Sequence, residues 1–516
     1  MKQMNSDPSQ PPAYRNWSNR ILAASLFGIL FFTLFPYWID FSQKHAQGRS
    51  PFLLGGPLKF DGILHTFLNA LLFAPFGFAL SQFFPARRRP LLKSIALAVA
   101  AGAALSYSIE IVQLYLPSRD SAWDDVLANT AGTLAGIIFG LVSGGFIYRK
   151  LSVWEIHLEQ ILSLRKISIA ALAYFGLWVA ISIPLQQKTH LDNWDPNSFL
   201  VVGYNANAGT RWSGAVSRIQ LWDRALDAAQ ALALTRNTGG SDGSSIALDS
   251  HLLASYDLSQ PPPIVNRAGP LPNLDLRSNA NLPGTSHQSR DGQIVSVLVS
   301  ETQVPALSVA VRHSNQFSVL VDCMPRGPND TDGAILAITN FSGESDLVLW
   351  QDHSYLLALV RNRLDSKKSS LAAHTGRVFI SGVTHSIFFS YDGAQGSFYI
   401  DGKREPHSYY LGPGASLVGE FIRLKTEELV AYSGLYVSLV FLPMGFLLGL
   451  AIRIIPRQKI FYKLGICAGI FLPAILLEVV LVCVSGRSAS MIQLGWSIGL
   501  TLAGMLWINL DPSIKA

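Results

Sequence analysis

The sequence predicts an α-helical multi-pass membrane bundle of about eight spans, arranged as two parallel repeats, with an all-β sandwich inserted between the fifth and sixth spans. Three observations predict it. The chain is 49% hydrophobic and only 14% charged over 516 residues, where soluble domains carry about 25% charged residues. Its apolar runs reach the roughly 20 residues that a spanning helix needs. A polar region, 187–428, interrupts those runs with the apolar–polar alternation of strands.

The first 20 residues are polar and read as a cytoplasmic tail. Apolar runs follow at 21–38, 62–84, 92–115, 124–147, 167–186, 430–454, 461–484 and 489–509. The first lacks a small-residue cleavage site, so it reads as a retained span and not a signal peptide. Lysine and arginine gather in the loops "PARRRPLLK" (85–93), "YRK" to "LRK" (148–166) and "RIIPRQK" (453–459). Such loops stay in the cytoplasm. Both termini then lie inside. The 187–428 region and the hairpin tips at 116–121 and 485–488 lie outside. The net charge of +6 and the pI near 9.1 follow from these loops and give no reason to invoke nucleic acid. Three cysteines form no disulfide framework and no CxxC metal motif.

Charge inside such a bundle needs a reason. The second run carries Asp61, His65 and Asn69 at steps of four, on one helical face. The third ends with Glu110 and Gln113, Arg119 sits on the tip, and the fourth begins with Asp124, Asp125 and Asn129. All fall at the outer edge of the bilayer. Two readings compete there. These groups are ordinary interfacial residues, with Asp124 and Asp125 favoured by the N-terminal dipole of their helix; or they form a binding layer. A carboxylate at mid-bilayer costs about 2.5–3.5 kcal/mol on insertion scales, so Glu110, two turns before the tip, needs a partner. Arg119 is the first candidate, and a purely structural Glu110–Arg119 brace competes with any ligand role.

"FLNALLFAPFGFAL" (67–80) and "SIEIVQLYLPSRDSAWDDVLANTAGTLAGIIFG" (108–140) closely resemble the VanZ-like family of bacterial membrane proteins. Asn69, Pro75, Gly77, Glu110, Gln113, Arg119, Asp124, Asp125, Asn129, Gly132 and Gly136 fill the family's pattern. The resemblance covers about 60–147, with the first span included. It implies a cell-envelope protein of the bacterial cytoplasmic membrane. The family is linked to glycopeptide resistance and exopolysaccharide genes but to no established reaction.

The C-terminal spans repeat this block. "NALLFAPFGFAL" (69–80) aligns with "VSLVFLPMGFLL" (437–448), and the 109–136 segment with 477–504. One ungapped shift of 368 relates Pro75 to Pro443, Gly77 to Gly445, Glu110 to Glu478, Arg119 to Arg487 and Gly136 to Gly504. Asp124, Asp125, Asn129 and Gln113 become Ile492, Gln493, Ser497 and Leu481. Two blocks running in one direction imply parallel repeats about an axis along the membrane normal. The organisation is then 1–20 tail, 21–150 VanZ-like spans one to four, 151–186 connector and span five, 187–428 sandwich, and 429–516 the degenerate repeat.

In the polar region, "FSVLVDCMP" (317–325), "SDLVLWQ" (345–351), "SYLLALVRN" (354–362) and "HSIFFSYDGAQGSFYIDGKRE" (385–405) alternate as strands, with Asp392-Gly393 and Asp401-Gly402 as turns. The last segment and "WSGAVSRIQLWDRALDAAQALAL" (212–234) resemble the laminin G-like, concanavalin A-like family. There the second segment normally ends the domain; here it comes first. A circularly permuted sandwich explains the order, and a leftover fragment of a duplicated domain is the rival. Such folds often bind carbohydrate, sometimes with calcium, although no calcium loop has the right carboxylate spacing and a fold does not fix a function. Trp194, Trp212, Trp222 and Trp350 are candidates for stacking on sugars or for the core.

The reading that results is a membrane protein binding a glycan or lipid-linked envelope molecule at its outer face, through Asn69, Glu110, Gln113, Arg119, Asp124, Asp125 and Asn129. No cofactor is implied, and the partners are the bilayer and that ligand. A membrane enzyme using the carboxylates and a transporter are the alternatives. No Ser-His-Asp set, HExxH or P-loop supports the first of these, and catalytic residues are not assigned.

Overall fold

A computed structural model describes residues 12–34, 63–82, 91–115, 122–161, 163–205, 210–236, 249–278, 282, 296–326, 333–342, 344–365, 372–380, 382–405, 409–420, 424, 426, 429–454 and 460–509. The membrane helices are α1 (Pro12–Leu34), α2 (Ile63–Leu80), α3 (Leu91–Gln113), α4 (Trp123–Ile161) and α5 (Leu164–Gln187). In the polar region follow α6 (Ala228–Arg236), α7 (Pro305–Ser314) and α8 (Pro413–Gly419). The chain ends with α9 (Leu429–Ile454), α10 (Ile460–Ser485) and α11 (Met491–Asn509).

Among the described residues, seven helices are long and apolar enough to cross a membrane. The eighth expected span, 62–84, is α2. Its apolar stretch, Thr66–Leu80, is shorter than the others; a turn at Ser81 and Gln82 follows directly. Span four is longer than expected. α4 runs for 39 residues, to Ile161, or about 58 Å at 1.5 Å per residue. Its apolar part, Trp123–Val153, exceeds the expected 124–147, because no helix breaker separates "YRK" from the residues after it.

The chain divides into two compact units. One comprises 1–176, 437–473 and 495–516; the other comprises 177–436 and 474–494. In the first, α2 and α4 lie in close contact through glycines. A Cβ on Gly77 would meet the Thr133 carbonyl oxygen at 2.0 Å, one on Gly132 the Ala70 oxygen at 2.0 Å, and one on Gly136 the Ala74 oxygen at 1.9 Å. Helix–helix approach of this kind is how membrane helices gain dispersion contacts without a hydrophobic driving force. The same contacts recur between α9 and α11: Gly445 at 2.2 Å from the Thr501 oxygen, Gly504 at 2.5 Å from the Leu442 oxygen. Each partner number is the first one plus 368. Thr133 Oγ1 donates to the Asn129 carbonyl and Thr501 Oγ1 to the Ser497 carbonyl, again at that shift.

The second unit is a two-sheet antiparallel β-sandwich with the helix ends that accompany it. Its strands are β1 (Phe199–Val202), β2 (Tyr204–Asn205), β3 (Thr210–Arg211), β4 (Ala215–Trp222), β5 (Leu252–Asp257), β6 (Leu274–Ser278), β7 (Ser296–Ser300), β8 (Phe317–Met324), β9 (Gly333–Thr339), β10 (Ser345–Asp352), β11 (Tyr355–Val360), β12 (Ala372–Arg377), β13 (His385–Tyr391), β14 (Gln395–Ile400), β15 (Lys403–Arg404) and β16 (Tyr409–Tyr410). One sheet runs β12-β11-β10-β9-β1-β7-β6. The other runs β15-β14-β13-β8-β4-β5, with β16 beside β14. The early segment is integral to both: β1 lies between β9 and β7, and β4 between β8 and β5. The turns read from Asp-Gly pairs are present, with φ of +100° at Gly393, +52° at Asp401 and +76° at Gly402. Alternate residues of the facing strands, Val319, Val321, Ile387, Phe389, Ile335 and Leu349 among them, fill the core between the sheets.

Polar residues tie the start of this unit to the beginning of β10. Asp346 is 1% exposed. It accepts from the Asp195 N–H at 3.1 Å and from Ser198 Oγ at 2.6 Å, with Arg361 at 3.4 Å. Burial pushes its carboxyl from the usual 3.8 up to about 6, against the lowering effect of these donors.

Two predictions follow from packing and burial. Gly136→Val forces α2 and α4 apart and should sharply lower the amount of protein in the membrane, since overpacking costs about 1–3 kcal/mol or more. Gly145→Val, at a position with nothing within 4 Å, should leave it unchanged; immunoblots of membranes check both. For Asp346, the folded state holds the proton more tightly than the unfolded state, so stability is lost as pH rises from about 4 to about 6, by on the order of 2–3 kcal/mol. Melting of the full chain in nanodiscs, followed by fluorescence of the buried Trp194, Trp212 and Trp222, should show a more stable sandwich at pH 5 than at pH 7.5. Asp346→Asn should flatten that difference.

Candidate functional site

The predicted polar layer forms where α1, α2, α3 and α4 come together. α3 turns a stripe of small and polar residues inward: Ser94, Ala98, Gly102, Ser106, Glu110 and Gln113 are all buried. Steps of three and four place them on one face. Glu110, 2% exposed, accepts a hydrogen bond from the Ala122 N–H at 3.0 Å, just ahead of α4. That N–H is one of the donors a helix start leaves unpaired. Gln113 Nε2 donates to the Thr33 carbonyl of α1 at 2.9 Å.

The first turn of α4 supplies Asp124 and Asp125. Asn69 of α2 donates from Nδ2 to Asp125 Oδ1 at 2.6 Å, a charge-assisted bond between helices. Asp124 is buried, 8% exposed. One turn deeper, Asn129 Nδ2 donates to Ser106 Oγ at 2.9 Å. Its Oδ1 is buried and has no hydrogen-bond partner among the described residues. Six of the seven expected site residues thus occupy one end of this four-helix group. Arg119 lies outside the described residues, as do Asp61 and the side chain of His65, so the expected Glu110–Arg119 pair falls there too. Sequence reasoning missed Ser106, Thr33 and Ala122. Ser106 was findable, since it precedes Glu110 by four residues on the same face. The other two contribute backbone atoms, which leave no trace in side-chain identity.

In the second unit the tip between α10 and α11 repeats part of this geometry. Glu478 Oε1 accepts from the Ser490 N–H at 2.6 Å, the counterpart of Glu110 and Ala122 at the shift of 368. Arg487 closes on Glu478 with two bonds, at 2.8 and 2.7 Å, and donates to the Ser488 carbonyl at 2.8 Å. The arginine is 3% exposed.

Other candidates fare differently. Trp194, Trp212 and Trp222 are core residues, at most 2% exposed. The Trp194 indole N–H bonds to the Arg361 carbonyl and that of Trp212 to Gln351 Oε1. None of the three offers a face to a sugar, whereas Trp350 is half-buried. No group of three His, Cys, Asp or Glu side chains that could hold a metal ion occurs among the described residues.

Residues 11–144 match the VanZ/LLP1 family model. No curated protein and no solved structure matches the chain. The match contains α1 to α3, the start of α4 and the whole polar layer. This part of the chain is similar to the VanZ/LLP1 family, and the long apolar helices are those of a multi-pass membrane protein.

Removing the Glu110 carboxylate should destabilise the hairpin. Glu110→Ala strands the Ala122 N–H, a loss of about 1–3 kcal/mol, while Glu110→Gln keeps an acceptor and should lose less. Thermal unfolding of each variant in detergent gives the order: wild type above Gln above Ala.

Proposed function

We propose that this chain is a VanZ-like protein of the bacterial cell envelope that binds a glycan or a lipid-linked envelope molecule at the outer face of the cytoplasmic membrane. The observation that carries the reading is the layer itself. Asn69, Glu110, Gln113, Asp124, Asp125 and Asn129 come from three helices to one end of the bundle, with Glu110, Gln113, Asp124 and Asn129 buried and Asn69 and Asp125 half-buried. Intramembrane ionisable residues are expensive and tend to be functional. The layer is rich in acceptors, with three carboxylates and the Asn129 oxygen. A hydroxyl-rich or amino-bearing headgroup has the donors to match it.

The orientation is read from the basic loops, whose lysines and arginines favour both termini in the cytoplasm and 187–428 outside. The β-sandwich, read as laminin G-like and circularly permuted, then sits on the side where envelope glycans are found. The repeated contacts at a shift of 368 support two copies of one four-helix block, the second having lost the Asp-Asp-Asn set. In that account Glu110 and Arg119 brace the hairpin and Asp124, Asp125 and Asn129 meet the ligand.

The test separates these roles. Asp124→Asn, Asp125→Asn and Asn129→Ala should accumulate normally and lose binding at least tenfold, measured with full-length protein in nanodiscs against a glycan array and lipid-linked oligosaccharide precursors. Glu110→Ala and Arg119→Ala should lower protein level instead. The reverse pattern, or unchanged binding in all three layer variants, sinks the assignment.

A further inference from the structure

Between the copies, the polar set was not simply lost. Asn69, the donor to Asp125, corresponds to Val437, which has no side-chain N–H, and Asp125 itself corresponds to Gln493. In the second unit donors reach Gln493 Oε1 from elsewhere: Tyr410, on β16 of the sandwich, bonds from its hydroxyl at 3.2 Å, and Arg487 Nη2 at 3.3 Å. The Tyr410 ring also lies 5.6 Å from the Arg487 guanidinium, in cation–π geometry.

The rest of the tip is bound by the sandwich as well. α10 ends at Ser485, and Gly486 follows with φ of +74°, the left-handed residue that commonly stops a helix. The last carbonyls of such a helix have no partner within it. Here Asn315 Nδ2 donates to the Ser485 carbonyl at 2.7 Å and Gln316 Nε2 to the Gly486 carbonyl at 2.7 Å. His190 Nε2 donates to the Val484 carbonyl at 2.9 Å. Ser488 Oγ donates to Asp392 Oδ2 at 2.8 Å, in the β13–β14 turn. The fit is close: a Cβ on Gly393 would lie 2.3 Å from the Ser485 oxygen.

We propose that the degenerate second copy serves as the anchorage of the sandwich, with Tyr410 standing in for the donor that Asn69 provides in the first copy. The partner that fits this tip is the chain's own β domain. Its α7–β8 corner (Asn315, Gln316), β13–β14 turn (Asp392, Gly393) and β16 form one contact surface, and the Glu478–Arg487 pair is the platform beneath it. The second copy is therefore not a second ligand site: its tip carbonyls and Gln493 are already engaged. The sandwich is held by the α10–α11 hairpin itself and does not merely hang from its two chain connections.

Hydrogen exchange of the full chain in nanodiscs tests this. In the wild type, the amides of 486–490 should exchange slowly. In the triple variant Tyr410→Ala/Gln316→Ala/Ser488→Ala they should exchange at least tenfold faster, with β8 and β13 amides unchanged. If the triple variant unfolds the sandwich, Tyr410→Phe and Gln316→Ala singly decide; each should speed tip exchange severalfold and leave the sheet amides slow. Fast tip exchange in the wild type, or tip exchange unmoved by both single variants, overturns the proposal.

Discussion

Each of the two hairpins turns on a glutamate near the end of a long, largely apolar helix. The carboxylate of Glu110 accepts the N–H of Ala122, and that of Glu478 accepts the N–H of Ser490. The geometry solves two problems together. A helix that begins at the edge of the bilayer has N–H groups with no intrahelical acceptor, and a carboxylate that far from water has lost its solvation. Joining them satisfies both, and because the anion sits at the N-terminal end of the following helix, the dipole adds to the bond. The rest of each hairpin depends on this link. It fixes how far one helix is advanced relative to the next, and so which residues of α3 and α4 meet. Ser106 faces Asn129 because Glu110 faces Ala122.

The second hairpin shows what completes such an arrangement. One N–H does not offset the charge of Glu478. Arg487 neutralises Glu478 through a two-pronged bond and spends another N–H on the Ser488 carbonyl. Buried pairs of this kind contribute little net stability compared with an apolar replacement, yet losing one member is costly, about 3–5 kcal/mol. Once the pair exists, either single substitution is worse than none.

Much of this was legible in the sequence, and the rest was not for identifiable reasons. The spans followed from apolar length, whereas Gly77, Gly132 and Gly136 stood in the sequence only as positions of the family pattern, and the close approach of α2 and α4 that they permit came from the structure. The strands at 317–325 and 385–405 followed from alternation and from the Asp-Gly turns. α2 and the far end of α4 were misjudged, because apolar content measures where a helix prefers lipid and not where its hydrogen-bonded ladder stops. Within the layer, residue types announced the site, but the partners did not follow. Asn69 finds Asp125 and Gln113 finds the Thr33 carbonyl through helix rotation and stagger, which periodicity leaves free. Tyr410 was invisible for a stronger reason: it lies 83 positions from Gln493, in a strand whose own pattern says nothing of a helix tip.

The two hairpins differ in charge. In the first, Asp124, Asp125 and Glu110 bring three carboxylates to one end of the bundle, with Asn69 donating to Asp125 and the Ala122 N–H to Glu110. In the second, Glu478 and Arg487 already balance, and Tyr410 covers them. An aspartate at 493 would place an uncompensated charge beside a pair that is closed off from water, at the several kcal/mol that an unpaired buried ion costs. Glutamine keeps the acceptor that Tyr410 needs and removes the charge. Isoleucine at 492, 75% exposed, likewise replaces Asp124 where no donor is required. The tip beside Tyr410 is therefore electrically balanced, whereas the end of the bundle that holds Glu110, Asp124 and Asp125 is rich in carboxylates.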